Sequence, residues 1–309
     1  MAQFSAKKTY DLSFSAYYKH FVLLVMATII VAAPLWFCSG ILERIARQSG
    51  IPEAVNIIAI AKKQGHPAGF ASVGSEMAAN LKTIPAQYYL AWLLVFLCGY
   101  ALFFFLTFGL MNICLTLKDT GHGSLKLLFS SSFDQVKHFV GAAVLYWLGM
   151  IGGSIVAVFA VVPVIMIGKL FLGIKIITMV SVTVCLCLFF AILVWLMGYM
   201  FFGFCILDNP YIGSLEALRM SAALVKGYRG QIIKTLLFTF LAAMGPLFML
   251  LVVGMTGTKL FLAGSDMSTF LINFVFILVT YPIFFLCSSY MYRALNPKQS
   301  EIDKNLSEN

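Results

Sequence analysis

The chain has 309 residues, 61% hydrophobic and 11% charged, with a mean hydropathy of +0.95 and a formal net charge of +9. A soluble domain carries about 25% charge, so a water-soluble enzyme is excluded. Short polar tracts and seven scattered cysteines likewise exclude a disordered chain and a disulfide scaffold, leaving a polytopic membrane protein.

About 20 apolar residues cross a bilayer as a helix, because lipid offers no partner to an open backbone group. Six charge-free runs meet that length: 21–42, 89–117, 139–167, 176–206, 235–258 and 269–292. None shows the alternation of an outer-membrane barrel strand. The expected fold is all-α, one integral membrane domain over 1–309 with six transmembrane helices. The first run is longer than a signal core and reads as a retained span. No lipidation motif is visible. Residues 43–88 form a long extracytoplasmic loop, in which Ile51, Ala54, Val55 and Ile58 follow helical spacing up to Gly65 and Pro67. Span two holds Asn112 and span six Asn273, the deepest strongly polar side chains, expected to hydrogen-bond between helices. Gly149 and Gly153 in span three suit close helix approach, internally or at a dimer face. Pro34, Pro163, Pro246 and Pro282 permit kinks within spans. A tight hairpin over 168–175 joins spans three and four. Asp208-Asn209-Pro210 stops span four and starts the next helix, with Asn209 as cap and Pro210 in the first turn. Residues 298–309 are a polar C-terminal tail.

The segments before spans one, three and five read as interfacial amphipathic helices on the cytoplasmic side. In 214–229, Leu215, Leu218, Ala222 and Val225 oppose Glu216, Arg219, Lys226 and Arg229; in 124–138, Leu125, Leu128, Phe129 and Val136 oppose Lys126, Asp134 and Lys137. Lys126, Lys137, Arg219, Lys226 and Arg229 are the candidate lipid-headgroup contacts. A basic helix of this kind either orients the chain or recognises anionic lipid. With both termini inside, thirteen of the 21 Lys and Arg residues fall on the cytoplasmic side, which sets the orientation.

Short words recur in order. Gly123-Ser124-Leu125 returns as Gly213-Ser214-Leu215, with Ser131 and Ser221 in the same register. Lys19-His20-Phe21-Val22 returns as Lys137-His138-Phe139-Val140, and Leu207-Asp208-Asn209-Pro210 is echoed by Leu295-Asn296-Pro297. They define three hairpin repeats of about 10–117, 118–206 and 207–297.

The stretch Leu207-Asp208-Asn209-Pro210 with Ser221-Ala222-Ala223-Leu224-Val225-Lys226-Gly227-Tyr228-Arg229 resembles the region between the last two hairpins of the YciC-like family of bacterial inner-membrane proteins. It is also similar to the membrane domain attached to some glycerophosphodiester phosphodiesterases. Val161-Val162-Pro163 and Tyr290-Met291-Tyr292-Arg293 extend the likeness, and Val164 stands where the family leads one to expect Gly. The resemblance implies a bacterial cytoplasmic-membrane protein and supplies no biochemistry.

No charged residue and no histidine lies inside the six runs, which argues against a proton-coupled transporter or an intramembrane enzyme. Asp119 and His122 are two ligands at most, Cys185 and Cys187 diverge on a helix, and Ser221 with Lys226 lacks the spacing of a nucleophile pair. No phosphate-binding glycine loop or zinc motif is present. The expectation is a non-enzymatic protein with no catalytic, metal or cofactor residues. It would act in envelope maintenance or as a lipid- or partner-binding scaffold. The alternative is a transporter or channel for a small solute or lipid. Membrane lipids are the expected partners, with a homo-oligomer or other membrane proteins possible and nucleic acid excluded.

Overall fold

The structure, a computed structural model, describes residues 5–49, 84–171, 197–241 and 266–296 with the single positions 79, 82 and 183, and only the backbone over 157–171 and 266–276. Among the described residues all secondary structure is helical. In chain order these are α1 (Ala6–Lys19), α2 (Phe21–Ser49), α3 (Ala86–Thr120), a 3₁₀ helix (Leu125–Phe129), α4 (Phe133–Phe171), α5 (Phe202–Asp208), α6 (Ser214–Val225), α7 (229–241) and α8 (Asp266–Leu295).

Three helical stretches are long and apolar enough to cross a membrane: Phe21–Ser49, Ala86–Thr120 and Phe133–Val156. They are apolar all round, as a lipid-facing helix must be. Only 17% of the most apolar stretch of Phe133–Val156 is buried, and Val144, Leu148, Ile151 and Val156 face outward there. Exposed apolar side chains in such density mark a surface that is covered by a membrane or by another protein. The 35 residues of α3 span about 52 Å, well beyond a hydrocarbon layer of about 30 Å. Its polar end, with Lys118 and Asp119, therefore projects past the apolar part. α2 continues beyond the expected boundary at 42, carrying Glu43, Arg44 and Arg47 on its last turns, where Glu43 pairs with Arg47 one turn on. The backbone over span six is helical as expected. α4 runs on helically through 168–171, the first half of the expected hairpin; residues 172–175, most of spans four and five, most of loop 43–88 and the tail 298–309 lie outside the described residues.

The chain divides into two compact units, 29–106 and the flanking 1–28 with 107–309. Within 29–106, a Cβ added at Gly99 would stand 2.6 Å from Cys38 Sγ, so glycine is what lets α2 and α3 pack this closely. Trp92, Phe96 and Tyr100 form an aromatic row along α3, with ring centroids 5.3 and 4.3 Å apart.

Within the larger unit, α1 packs on α8, burying Thr9, Ser13 and Tyr17 from one face. The helix expected before span one is therefore docked on protein. α3 ends where Gly121, at φ 72°, donates its N–H to the Leu117 carbonyl, a left-handed cap that glycine adopts without strain. The next segment overturns an expectation: 124–138 is not one amphipathic helix. The 3₁₀ helix stops at Ser130, and α4 starts afresh behind a reciprocal capping box. There Ser132 N–H donates to Gln135 Oε1 at 3.1 Å and Gln135 N–H to Ser132 Oγ at 3.3 Å. The 3₁₀ helix lies directly on α3, since a Cβ at Gly109 would collide with the Leu128 carbonyl oxygen. Beside it, Asn112 Nδ2 donates to Ser130 Oγ at 3.0 Å. Asn112 thus holds this connecting segment and not another span; the Asn273 side chain lies outside the described residues.

A second correction concerns 208–213. Asn209 caps the preceding helix, its N–H and Nδ2 both donating to the Cys205 carbonyl, and Pro210 sits in a turn ahead of α6, whose N-cap is Gly213. α6 follows α4 in the same sense: Ser214 Oγ donates to the His138 carbonyl at 2.8 Å and fills the space beside Gly141. Its apolar stripe is divided, with Leu218 and Val225 buried and Leu215 54% exposed. The equivalence of Ser131 and Ser221 is not structural. Ser221, buried on α6, donates to the Gly198 carbonyl and accepts the Phe201 N–H, both at 3.0 Å, and so ties α6 to the turn before α5. Ser131 stands between helices with its hydroxyl buried and unpartnered.

Candidate functional site

Four contacts bring α3 and α8 side by side. Thr107 hydroxyl meets Tyr281 Oη at 3.3 Å, Ser289 Oγ lies 3.1 Å from the Cys114 carbonyl, Lys118 Nζ stands 5.2 Å from the Tyr290 ring centre, and Arg293 binds Asp119. The numbers rise together along both helices, so the two run parallel. Around them the small hydroxyls and thiols of Thr235, Thr239, Cys287 and Ser288 are buried against helix backbone or one another.

This register ends in a charged cluster that the spacing of the sequence does not announce. Arg293, in the last turn of α8, donates Nε and Nη2 to Asp119 at 2.9 and 2.5 Å, a bidentate grip, and Nη1 to Asp208 Oδ2 at 2.6 Å. Tyr292 Oη donates to the same Asp208 oxygen at 2.7 Å, and Asn296 Nδ2 donates to Tyr292 Oη at 3.2 Å. Phe201 and Phe204 close over Tyr292, the Phe204 ring stacked 5.5 Å away. The Arg293 and Asp208 side chains are 7% and 5% exposed, and Asp119 is 30% exposed.

Helix geometry gives this arrangement its sense. Asp119 and Asp208 each close a helix at its negative end, where a carboxylate is disfavoured by up to about 1 kcal/mol. Arg293 closes α8 at an end that favours a cation. One guanidinium therefore serves two badly placed carboxylates and joins the ends of α3, α5 and α8. Burial pushes the Asp208 carboxyl above the usual carboxylate range, although the Tyr292 hydroxyl and Arg293 pull the other way.

The expected headgroup contacts are arranged differently. Lys126 stands on the 3₁₀ helix, Lys137 in the first turns of α4 and Arg219 on α6, while Lys226 and Arg229 flank the left-handed Gly227 (φ 91°) between α6 and α7. All five are exposed, and none makes an ion pair among the described residues. The structure brings only Lys226 and Arg229 together, on an open groove of about 520 Å³. Asp119 is committed to Arg293 and not to His122. Among the described residues no group of three or more His, Cys, Asp or Glu side chains converges on a metal position.

The chain matches no family model, no curated protein and no solved structure.

Proposed function

We propose that this chain is a multi-pass protein of the bacterial cytoplasmic membrane, without a catalytic site, that serves as a scaffold holding anionic lipid or a partner at its inner face. The reading agrees with the resemblance to YciC-like proteins. One observation carries it: the cations are sorted. Arg293 is buried and satisfied by two carboxylates, whereas Lys126, Lys137, Arg219, Lys226 and Arg229 stand exposed and unpaired among the described residues. Surface cations next to apolar helices gain about 1 kcal/mol each from anionic headgroups. The parallel run of α3 and α8 calls for an odd number of crossings between them, of which α4 supplies one; this agrees with six crossings that leave both termini on one side, and the Lys and Arg bias favours the cytoplasm for that side. Replacing the five cations by Gln is expected to lower retention of phosphatidylglycerol on the purified protein at least tenfold; unchanged retention refutes the lipid reading.

A transporter or channel is the second reading, favoured by the burial of Arg293 and Asp208, since buried charge in a membrane protein commonly marks a pathway. It requires substrate flux in proteoliposomes that Asp208→Asn abolishes.

A further inference from the structure

Between α4 and α6 lies a cavity of about 340 Å³, at the small end of ligand-binding pockets. Its α4 wall is Leu145, Tyr146 and Gly149, and its α6 wall is Leu215, Leu218 and Arg219, with Tyr199 from the turn before α5. Leu218 is buried at its floor, while Leu145 (42% exposed) and Leu215 (54%) stand at its edge. Gly149 contributes the absence of a side chain, which opens the α4 wall. Farther along α4 the same helix face carries Gly152, Gly153 and the apolar Val156, which is exposed. The cavity therefore opens sideways onto the surface that a bilayer would cover.

An apolar chamber reached from lipid selects a hydrocarbon chain. Its polar equipment selects what that chain must carry. Arg219 is the single cation at the cavity, is exposed, and makes no ion pair among the described residues. Its aliphatic stem can lie along Leu215 and Leu218 while the guanidinium reaches toward the headgroup layer. Guanidinium binds a phosphate bidentately, and among the described residues no carboxylate lines the cavity to compete for it.

We infer that this cavity holds one acyl chain of a single anionic phospholipid from the adjoining leaflet, with the lipid phosphate bound by Arg219. The site rests on the lipid-binding reading above and makes it specific. Arg219 is backed by a chamber walled with leucines, whereas Lys226 and Arg229 share an open groove lined by Ala222, Ala223 and Gly227. Lys126, Lys137, Lys226 and Arg229 hold headgroups loosely and interchangeably.

Native mass spectrometry of the full chain in detergent, titrated with phosphatidylglycerol, tests this. The parent is expected to retain one lipid through a tight first binding step. Arg219→Gln removes the charged hydrogen bonds and weakens that step about tenfold, and Leu215→Trp, which fills the chamber from an exposed position, does the same. A variant with Lys126, Lys137, Lys226 and Arg229 all changed to Gln keeps the first step and loses the weaker later ones. The inference is overturned if Arg219→Gln and Leu215→Trp bind the first lipid as the parent does. It is equally overturned if phosphatidylcholine binds the first step as tightly, or if inorganic phosphate at millimolar concentration displaces the lipid. Loss of all steps in the four-residue variant sinks the chamber while leaving general lipid binding intact; retention of all steps in every variant sinks both.

Discussion

Removing the guanidinium of Arg293 tests whether the charged cluster holds the ends of three helices together. In Arg293→Met, Asp208 keeps a 5% exposed side chain with only the Tyr292 hydroxyl to bind it, while Asp119, 30% exposed, turns to water. Stripping one partner from a buried ion pair costs about 3–5 kcal/mol, nearly all of it from the charge left behind. That charge is on Asp208. Arg293→Met with Asp208→Asn should therefore recover about 2–3 kcal/mol of the loss, whereas adding Asp119→Asn should recover about 1 kcal/mol or less, as befits a half-exposed partner. Arg293→Lys keeps the charge but not the fork, and falls between the parent and the Met variant. The measurement is reversible unfolding in mixed micelles, followed by fluorescence of the four tryptophans. The reasoning fails if Arg293→Met lies within about 0.5 kcal/mol of the parent, the range of ordinary surface substitutions. It also fails if coupling to Asp119 exceeds coupling to Asp208.

Two further outcomes follow from the same geometry. Because burial raises the Asp208 pKa in the fold, its contribution to stability is complete below the ordinary carboxylate range and is lost as pH rises through the raised value. The stability of the parent relative to Asp208→Asn should therefore increase as pH is lowered from 7 toward 4; a difference that shrinks on acidification contradicts the burial. Gly109→Ala drives a methyl into the Leu128 backbone and should cost about 1–3 kcal/mol. Its local signature is faster tryptic cleavage after Lys126, as the 3₁₀ helix lifts from α3 and the Asn112–Ser130 hydrogen bond opens.

The membrane helices were readable because a bilayer imposes a length on apolar runs, and α2, α3 and α4 follow that rule. Their polar extensions were not, since a helix does not stop where hydropathy does: Glu43 and Arg47 continue α2 through an i, i+4 pair. Residues 124–138 misled for a different reason. Five residues of 3₁₀ helix and a new α-helical start share an apolar rhythm with one continuous amphipathic helix. The Ser132-x-x-Gln135 box was the available sign of the break. Similarly, Asn209 precedes Pro210 in a pattern that suits a helix start, yet the Cys205 carbonyl was left open by the helix before it and claimed the side chain. The Arg293 cluster joins residues 85 and 174 positions apart, so no local pattern shows it. Its trace in the sequence is subtle: carboxylates stand just past spans two and four, where helix ends repel them, and an arginine stands just past span six.

The parallel docking of α3 and α8 also sets an order on biosynthesis. Asp119 and Asp208 leave the ribosome well before Arg293, so the nascent chain carries two carboxylates at helix ends without the cation that satisfies them. Closing the cluster before α8 inserts would bury the Asp208 carboxylate without its cation, which costs several kcal/mol. Arrival of Arg293 removes that obstacle in one step. A ribosome-stalled product ending before Asp266 is therefore expected to remain open to proteolysis at its α3 and α5 ends, where the chain carrying α8 resists.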